Sequence, residues 1–227
     1  KTFGASSVVY LSHTVPETFA EKLRLQGAKV CREGDDYEAS MTAAAKSATA
    51  NNWVLLSDSS WQGYTELPHR LMEGYLVMAA ETVKQMELAP THIFLQAGVG
   101  GLAAACAAFF RLAWADQPNI TVVEPEAAPA LHNAIQAGNI VSVEGPVSSM
   151  GRLDCKEASM IALNGLARDA DRFVLLHDDE VESVMPVLDE LGLATTPSGG
   201  AGLAAALLSK LDLPSDARIL VILSEEA

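Results

Sequence analysis

Residues 91–110 read THIFLQAGVGGLAAACAAFF, an apolar segment followed by a glycine-rich turn and a run of small residues. The apolar residues 93–95 predict a strand, and residues 102–110 predict a helix whose alanines allow close packing on a sheet. A strand, a glycine turn and a helix in succession aim backbone N–H groups at one point, where the helix dipole also favours negative charge. The sequence therefore predicts an anion site at this turn, and phosphate is the usual occupant of such a site.

Two alternatives to phosphate binding stay open on this pattern alone. Glycine-rich turns between a strand and a helix also form because they let the two elements pack closely. A dinucleotide site is the second alternative. Ala103 stands at the third glycine position of the G-x-G-x-x-G fingerprint, so that fingerprint is not matched, but Glu124 follows about 20 residues on, where the fingerprint places an acidic residue. A P-loop is excluded, since no Gly-Lys-Ser/Thr ends the turn.

Composition indicates a globular α/β protein of one large or two small domains, with 227 residues of which 49% are hydrophobic. Fifteen basic against 29 acidic residues give a net charge of −14, which argues against nucleic acid as a partner. No apolar run reaches the ~20 residues of a membrane span, and no signal peptide is visible. The widely spaced Cys31, Cys106 and Cys155 argue against a metal site or a disulfide framework, so we expect a cytoplasmic protein without a membrane partner.

Strand and helix patterns alternate along the chain. Strands are predicted at residues 7–11, 28–31, 53–56, 90–96, 120–123, 173–176 and 219–223. Helices are predicted at residues 17–26, 35–50, 68–86, 102–110, 127–137, 157–168, 178–191 and 203–210. Residues 144–156 are predicted as a long connection and residues 195–202 as a second glycine-rich turn. The alternation predicts an α/β fold with open, mostly parallel sheets and helices on both faces.

The polar loop SDSSWQGY, residues 57–64, follows the third predicted strand. Ligands of open α/β sheets bind at the carboxyl ends of strands. Asp58, in that loop beside Trp61 and Tyr64, therefore stands where a general base would be placed. The alternative is that Asp58 serves only as a turn or helix-capping residue.

Several segments, in order along nearly the whole chain, resemble the diaminopropionate ammonia-lyase family of pyridoxal-phosphate enzymes, which have fold type II (tryptophan synthase β-like). They are SDSSWQGY with LMEGY, THIFLQAGVGG, VVEPEAA, MGRLDCKEAS, PSGGAGLAA and LVILSEE. The resemblance implies elimination of 2,3-diaminopropionate to pyruvate and ammonia with pyridoxal 5'-phosphate, a reaction of amino-acid catabolism. Another fold type II enzyme, such as a serine/threonine dehydratase or threonine synthase, and an inactive fragment that keeps only the phosphate loop, stay open.

The resemblance also implies roles for particular residues. The cofactor phosphate would be held by Gly98, Val99, Gly100, Gly101 and the N–H of Leu102. Ser224 would face the pyridine nitrogen with a neutral hydroxyl. Asp58 would transfer a proton at the substrate, either as a base at the α-carbon or as an acid at the leaving amine. Under this interpretation Glu124 belongs to the VVEP segment and not to a ribose contact.

In the resemblance, the Schiff-base lysine and a second catalytic aspartate lie upstream of the first residue, so the intact protein is expected to be longer. The lysines of this chain, none of which has the matching context, are Lys1, Lys22, Lys29, Lys46, Lys84, Lys156 and Lys210. We expect residues 1–62 to be the remainder of the smaller cofactor-fold domain and residues 63–227 to be the larger domain with the phosphate loop. A homodimer is expected as well.

The chain departs from the family's pattern in one loop. Gly151, Arg152 and Asp154 replace small residues near Cys155, and Ala158 replaces a proline. Because this loop lies near the substrate in the family, the exact amino-acid substrate is left open.

Overall fold

The structure, a computed structural model, describes residues 4–208 and 211–225 and divides into two compact units, Lys1–Ser57 and Asp58–Ala227. The expected boundary after residue 62, and the assignment of the first part to a smaller cofactor-fold domain, stay predictions. Lys1 and Lys210 lie outside the described residues. Within the described ranges, no helix is both long enough and apolar enough to cross a membrane.

The first unit consists of β1 (Val8–Leu11), α1 (Glu17–Leu25), β2 (Lys29–Arg32) and α2 (Tyr37–Asn51). The two strands pair in parallel, with Val9 opposite Val30. Helix α2 begins after Asp36, whose carboxylate accepts a hydrogen bond from Ala39 N at 2.7 Å. These short elements form as the sequence predicts, because each has its own start or stop signal.

The third predicted strand is wrong. Residues 53–56 lie in no strand of the described part of the chain. Their side chains are largely in solvent, with Val54 81% and Leu56 66% exposed. An apolar composition favours an extended backbone, but composition alone does not decide whether a segment joins a sheet.

The second unit holds α3 (Glu66–Gln85), β3 (His92–Gln96), α4 (Gly101–Trp114), β4 (Asn119–Pro125), α5 (Ala130–Ala137), α6 (Met160–Asp169), β5 (Arg172–Leu176), α7 (Asp178–Glu190), α8 (Pro197–Leu207) and β6 (Ile219–Val221). Its sheet has four parallel strands in the order β5-β4-β3-β6. Because all pairs are parallel, the carboxyl ends of the strands meet at one edge of the sheet. The loops that follow β3, β4 and β6 therefore emerge on the same side.

Helices cover both faces of this sheet, as the predicted fold class requires. Ile93 and Leu95 of β3 pack into a core with α3, α4 and α6. Phe94, which points to the opposite face, packs into a second core with α7 and α8. The alternation along one strand buries both faces, which explains why β3 is apolar throughout its centre.

Helix α8 corrects a second prediction. The segment PSGGAG, expected as a turn, forms the first half of this helix. Thr196 caps it by accepting a hydrogen bond from Gly199 N at 3.0 Å, and Pro197 occupies the first turn. Glycine is needed at position 202 for packing: a Cβ there would stand 3.1 Å from Phe94 O in β3. The glycines therefore mark a close approach of helix to sheet and not a reversal of the chain.

Candidate functional site

The predicted phosphate loop lies at the carboxyl end of β3, in the middle of the sheet. Ala97 N continues the ladder to Val123 O at 2.9 Å, and the chain then leaves the sheet. The first helical bond of α4 joins Ala104 N to Gly100 O at 2.9 Å. The N–H groups of Gly101 and Leu102 precede that bond and have no carbonyl within the helix to bind. These donors, at the positive end of a 14-residue helix, suit an anion.

Two glycines of the loop are required by its geometry. Gly100 has φ +97°, a backbone conformation that residues with a side chain rarely adopt. A Cβ on Gly98 would stand 2.9 Å from Arg152 O and 3.0 Å from Cys155 Sγ. The loop is therefore a cradle of backbone in which side chains are kept out, which fits a phosphate held by N–H groups.

The loop that carries Asp58 is fixed to the same end of the sheet through a pair of buried serines. Ser60 Oγ and Ser159 Oγ lie 2.7 Å apart, and Ser60 Oγ also accepts from Ile161 N at 2.9 Å. Ser159 N in turn donates to Val99 O at 2.9 Å. One hydrogen-bonded chain thus connects the Asp58 loop, the start of α6 and the phosphate loop.

Asp58 is exposed and lies beside the start of α4. Its carbonyl oxygen is 3.7 Å from the position that a Cβ on Gly101 would take. Burial first, and then the nearby Asp58 carboxylate, raise the pKa of the Tyr75 phenol. Trp61 and Tyr64 stack with ring centroids 4.3 Å apart, which stiffens the turn after Asp58. The premise that Asp58 ends a strand is wrong, because residues 53–56 form none, yet the residue still lies near the phosphate loop.

Ser224 emerges from β6 on the same edge. β6 pairs with β3 up to Val221 opposite Phe94, so Ser224 is three residues beyond the ladder. Its Oγ accepts a hydrogen bond from Gln96 Nε2 at 3.0 Å. Glu225, the next residue, is tied down by Thr195 Oγ1, which donates to its carbonyl at 2.8 Å. The hydroxyl predicted to face a pyridine nitrogen is therefore held in place by buried neighbours and is itself exposed.

The connection 144–156, which forms no helix or strand, packs against the phosphate loop. Arg152 Nε pairs with Glu225 Oε1 at 2.9 Å, so this loop also reaches the residue beside Ser224. Lys156 Nζ lies 2.5 Å from Asp154 Oδ1 and donates to Ala127 O at 2.9 Å. The residues that depart from the family pattern thus form bonds that hold the loop over Gly98.

Glu124 has a structural role in this arrangement. Its carboxylate is fully buried and accepts from Leu131 N at 2.7 Å and from His132 N at 2.8 Å, in the first turn of α5. Burial raises the pKa of Glu124 to about 8, and the two N–H donors oppose that rise. Because both carboxylate oxygens are used to cap α5, the arrangement gives no support to the ribose contact of a dinucleotide site.

Cys106 and Cys155 lie in different parts of the second unit. Cys106 is buried in α4, and burial raises the pKa of its thiol to about 12, in keeping with a core residue. Cys155 is 7% exposed, and it lies against Gly98 in the connection described above. Neither needs a catalytic role to explain its position.

Comparison with known proteins decides the family. The family model described as pyridoxal-phosphate dependent enzyme matches residues 1–225. The chain belongs to this family. Its cofactor is therefore pyridoxal phosphate, and the glycine cradle, the donors at the start of α4 and the Ser224 hydroxyl are suited to its phosphate and ring.

The predicted resemblance to diaminopropionate ammonia-lyase is confirmed. The Escherichia coli K12 enzyme is 28% identical over 98% of this chain, and the Salmonella typhimurium enzyme is 34% identical over 70% of it. A crystal structure of the E. coli enzyme matches with a TM-score of 0.91 at 26% identity, covering 98% of this chain and 62% of that one. The chain spans 61% of the length of the E. coli relative.

Some residues of the site were missed by sequence reasoning. Gln96 stood in the quoted FLQAGVGG segment, but nothing in its spacing indicates that it bonds to Ser224. Ser60 lies in the predicted loop and Ser159 in the predicted helix 157–168, and only the fold brings the two serines together. Glu225 appears in the sequence merely as one of two acidic residues after the last strand.

Proposed function

We propose that the intact protein eliminates ammonia from 2,3-diaminopropionate and releases pyruvate, using pyridoxal 5'-phosphate. The observation that supports this proposal is that the glycine cradle, Ser224 and the Asp58 loop lie at the same edge of the sheet. The chain is also similar to diaminopropionate ammonia-lyase over 98% of its length. A small amino acid is the substrate class we infer. The proposal concerns the intact protein, because this chain spans only part of its relatives.

The phosphate would be held by Gly98, Val99, Gly100, Gly101 and the N–H of Leu102, all at or before the first turn of α4. The two parts of the site would bind the two ends of the cofactor: the dipole of α4 favours the phosphate, and Ser224 offers a neutral hydroxyl to the ring nitrogen. When bound, the cofactor supplies an electron sink for the carbanion that forms at the α-carbon of the substrate. The protein's own contribution is orientation and proton transfer.

Asp58 is the residue we propose for proton transfer. Its loop is anchored by Ser60 to the start of α6, so the carboxylate is carried on a fixed segment and not on a free one. It would remove the proton from the α-carbon of one enantiomer or protonate the departing β-amine. Both roles need a carboxylate within hydrogen-bond reach of the substrate, and both stay open.

We keep the upstream position that the resemblance implies for the Schiff-base lysine. The ammonium group of Lys156 binds Asp154, Ala127 O and Pro146 O, and these contacts give no reason to assign that role to Lys156. That the reactive lysine lies in a longer parent stays a prediction. So do the homodimer and the cytoplasmic location that the resemblance and composition suggest.

The experiment is an assay of the intact protein with added cofactor. We expect cofactor-dependent release of pyruvate from 2,3-diaminopropionate, measured by coupling to lactate dehydrogenase. Its kcat/KM should exceed that for pyruvate from serine or for 2-oxobutyrate from threonine. Each substrate is supplied as separate D and L enantiomers. Faster turnover of serine or threonine would instead support a dehydratase.

A catalytically inactive protein that keeps only the phosphate loop would give a different result. It would bind the cofactor in equilibrium dialysis but release no 2-oxo acid (pyruvate or 2-oxobutyrate) from any of these substrates. Failure to bind the cofactor at all would refute the proposal together with its site.

A further inference from the structure

Gln96, the last residue of β3, is buried in the wall beside Ser224. The residue is 3% exposed. Its Nε2 lies 3.0 Å from Gly199 O, 2.8 Å from Ile222 O and 3.0 Å from Ser224 Oγ. One side-chain amide therefore joins the start of α8, the end of β6 and the exposed hydroxyl.

The orientation of this amide is set by chemistry. The carbonyl oxygens of Gly199 and Ile222 can only accept hydrogen bonds, so the atom that faces both must be the NH2 nitrogen. Rotating the amide by half a turn would place Oε1 against two carbonyls and leave them without a donor, which is costly in a buried position. As it stands, Oε1 is buried without a hydrogen-bond partner among the described residues, 2.9 Å from the position of a Cβ on Gly202.

This orientation determines how Ser224 can bond. The NH2 group has two hydrogens for these three acceptors, so one hydrogen is shared between two of them; the nitrogen has no lone pair to offer, so Ser224 Oγ can only accept in this contact. The hydrogen of the Ser224 hydroxyl is not used in that contact. It is left to donate on the exposed side of the residue.

The backbone around Ser224 is fixed independently. Thr196 Oγ1 donates to Glu225 Oε2 at 2.6 Å, and Arg152 Nε pairs with the other oxygen of that carboxylate. The main chain that carries Ser224 is held as well, because Thr195 Oγ1 donates to the carbonyl oxygen of Glu225 at 2.8 Å.

We propose that Gln96 is a positioning residue that makes Ser224 a hydrogen-bond donor towards the cofactor's ring nitrogen. The inference rests on the proposed function, because it takes Ser224 as the residue that meets the ring. A ring nitrogen that receives a hydrogen bond from a neutral hydroxyl stays unprotonated. A substitution of Gln96 that removes the amide group would let the Ser224 hydroxyl point its hydrogen towards the protein interior instead of the ring nitrogen.

The test uses the intact protein and pyridoxal 5'-phosphate labelled with ¹⁵N in the ring, in four forms: wild type, Gln96→Met, Ser224→Ala and the double variant. Cofactor affinity is measured by equilibrium dialysis, and the ring-nitrogen chemical shift by NMR. We expect an unprotonated, hydrogen-bonded ring nitrogen in the wild type. Gln96→Met and Ser224→Ala should each weaken cofactor binding about fivefold, as the loss of one neutral hydrogen bond does.

The double variant separates positioning from mere structure. If Gln96 acts through Ser224, adding Gln96→Met to Ser224→Ala produces little further loss of affinity and no further change of the ring-nitrogen shift. Two losses that multiply would overturn the inference, because Gln96 would then act through the fold alone. Gln85→Met, the same change at the exposed end of α3, is the matched control and should leave both measurements unchanged.

The remaining outcomes keep the two proposals apart. If Gln96→Met does not fold, the ring-nitrogen chemical shift of the wild type still tests the inference, since a protonated ring nitrogen would contradict a Ser224 that donates to it. An unchanged affinity and shift in Ser224→Ala would overturn the inference and the assignment of Ser224 while leaving cofactor binding intact. Absence of cofactor binding in the wild type would refute the proposed function itself.

Discussion

Replacing Gly100 by alanine tests whether the cradle depends on backbone geometry. At φ +97° a side chain costs about 1–2 kcal/mol relative to glycine. The added Cβ would stand 2.7 Å from Leu131 Cδ1 and 3.0 Å from Ala162 Cβ, and forcing a methyl group into such a space costs roughly 1–3 kcal/mol. Because the Leu131 side chain can turn aside, we take the lower part of the summed range, about 2–4 kcal/mol.

The neighbouring glycine supplies a matched control. A Cβ on Gly101 would meet nothing closer than Met72 Cγ at 3.6 Å, and this residue has no positive φ. Gly101→Ala should therefore leave the free energy of unfolding unchanged or raise it by up to about 1 kcal/mol, because alanine has the higher helix propensity. The two variants differ by one position and add the same methyl group.

The assay is urea unfolding of the cofactor-free protein, followed by circular dichroism. In a thermal unfolding experiment, the same loss of about 2–4 kcal/mol would lower Tm by roughly 5–15 °C for a protein of this size. Equilibrium dialysis with pyridoxal phosphate should then show weaker binding for Gly100→Ala than for Gly101→Ala. Equal stability and equal affinity of the two variants would refute the geometric reasoning about the loop.

Three further predictions concern charged residues. The pKa of Glu124 is raised to about 8 in the folded protein from 4.5 in the unfolded chain. Between pH 4.5 and pH 8 the folded protein therefore keeps a proton that the unfolded chain has lost. The free energy of unfolding should fall by about 1.4 kcal/mol per pH unit across this window. Glu124→Gln should lack this slope in urea unfolding, and parallel profiles would contradict the assignment. Arg152→Ala removes a partly exposed ion pair with Glu225, so it should cost at most about 1 kcal/mol at low salt and less at high salt, and a loss independent of salt would argue against an electrostatic origin. Asp58→Asn should lower kcat for at least one enantiomer of 2,3-diaminopropionate by about 10²-fold or more with stability unchanged. A variant that turns over both enantiomers as fast as the wild type would remove the catalytic role of Asp58.

The sequence predicts most of this fold because its elements carry local signals. Asp36 at the start of α2 and the apolar centre of β3 are each sufficient to identify an element without knowledge of its neighbours. The two failures have the opposite character. Whether the apolar residues 53–56 join a sheet depends on tertiary context that composition does not contain. The glycines of α8 reflect the close approach to Phe94, which is a property of the packed sheet.

Part of the candidate site could likewise be predicted from the sequence, and part of it could not. The cradle could be predicted because strand, turn and helix are consecutive, and the resemblance supplied Ser224 and Asp58. The residues that hold those groups could not, because Gln96 and Ser224 are distant in sequence and meet only when β6 pairs with β3. A glutamine at the end of a strand has no spacing that distinguishes a buried bond from an exposed side chain.

The buried serines connect the loop that we propose to hold the phosphate with the loop that carries Asp58. Ser60 fixes the loop of Asp58, and Ser159 joins that loop to Val99 O in the phosphate loop through bonds of 2.7 and 2.9 Å. The loop that we propose to hold the phosphate and the loop of Asp58, which we propose for proton transfer, are therefore anchored at the same point, the start of α6. Because proximity effects depend on holding reacting groups within fractions of an ångström, a change at either serine should disturb proton transfer without touching the cofactor or the substrate.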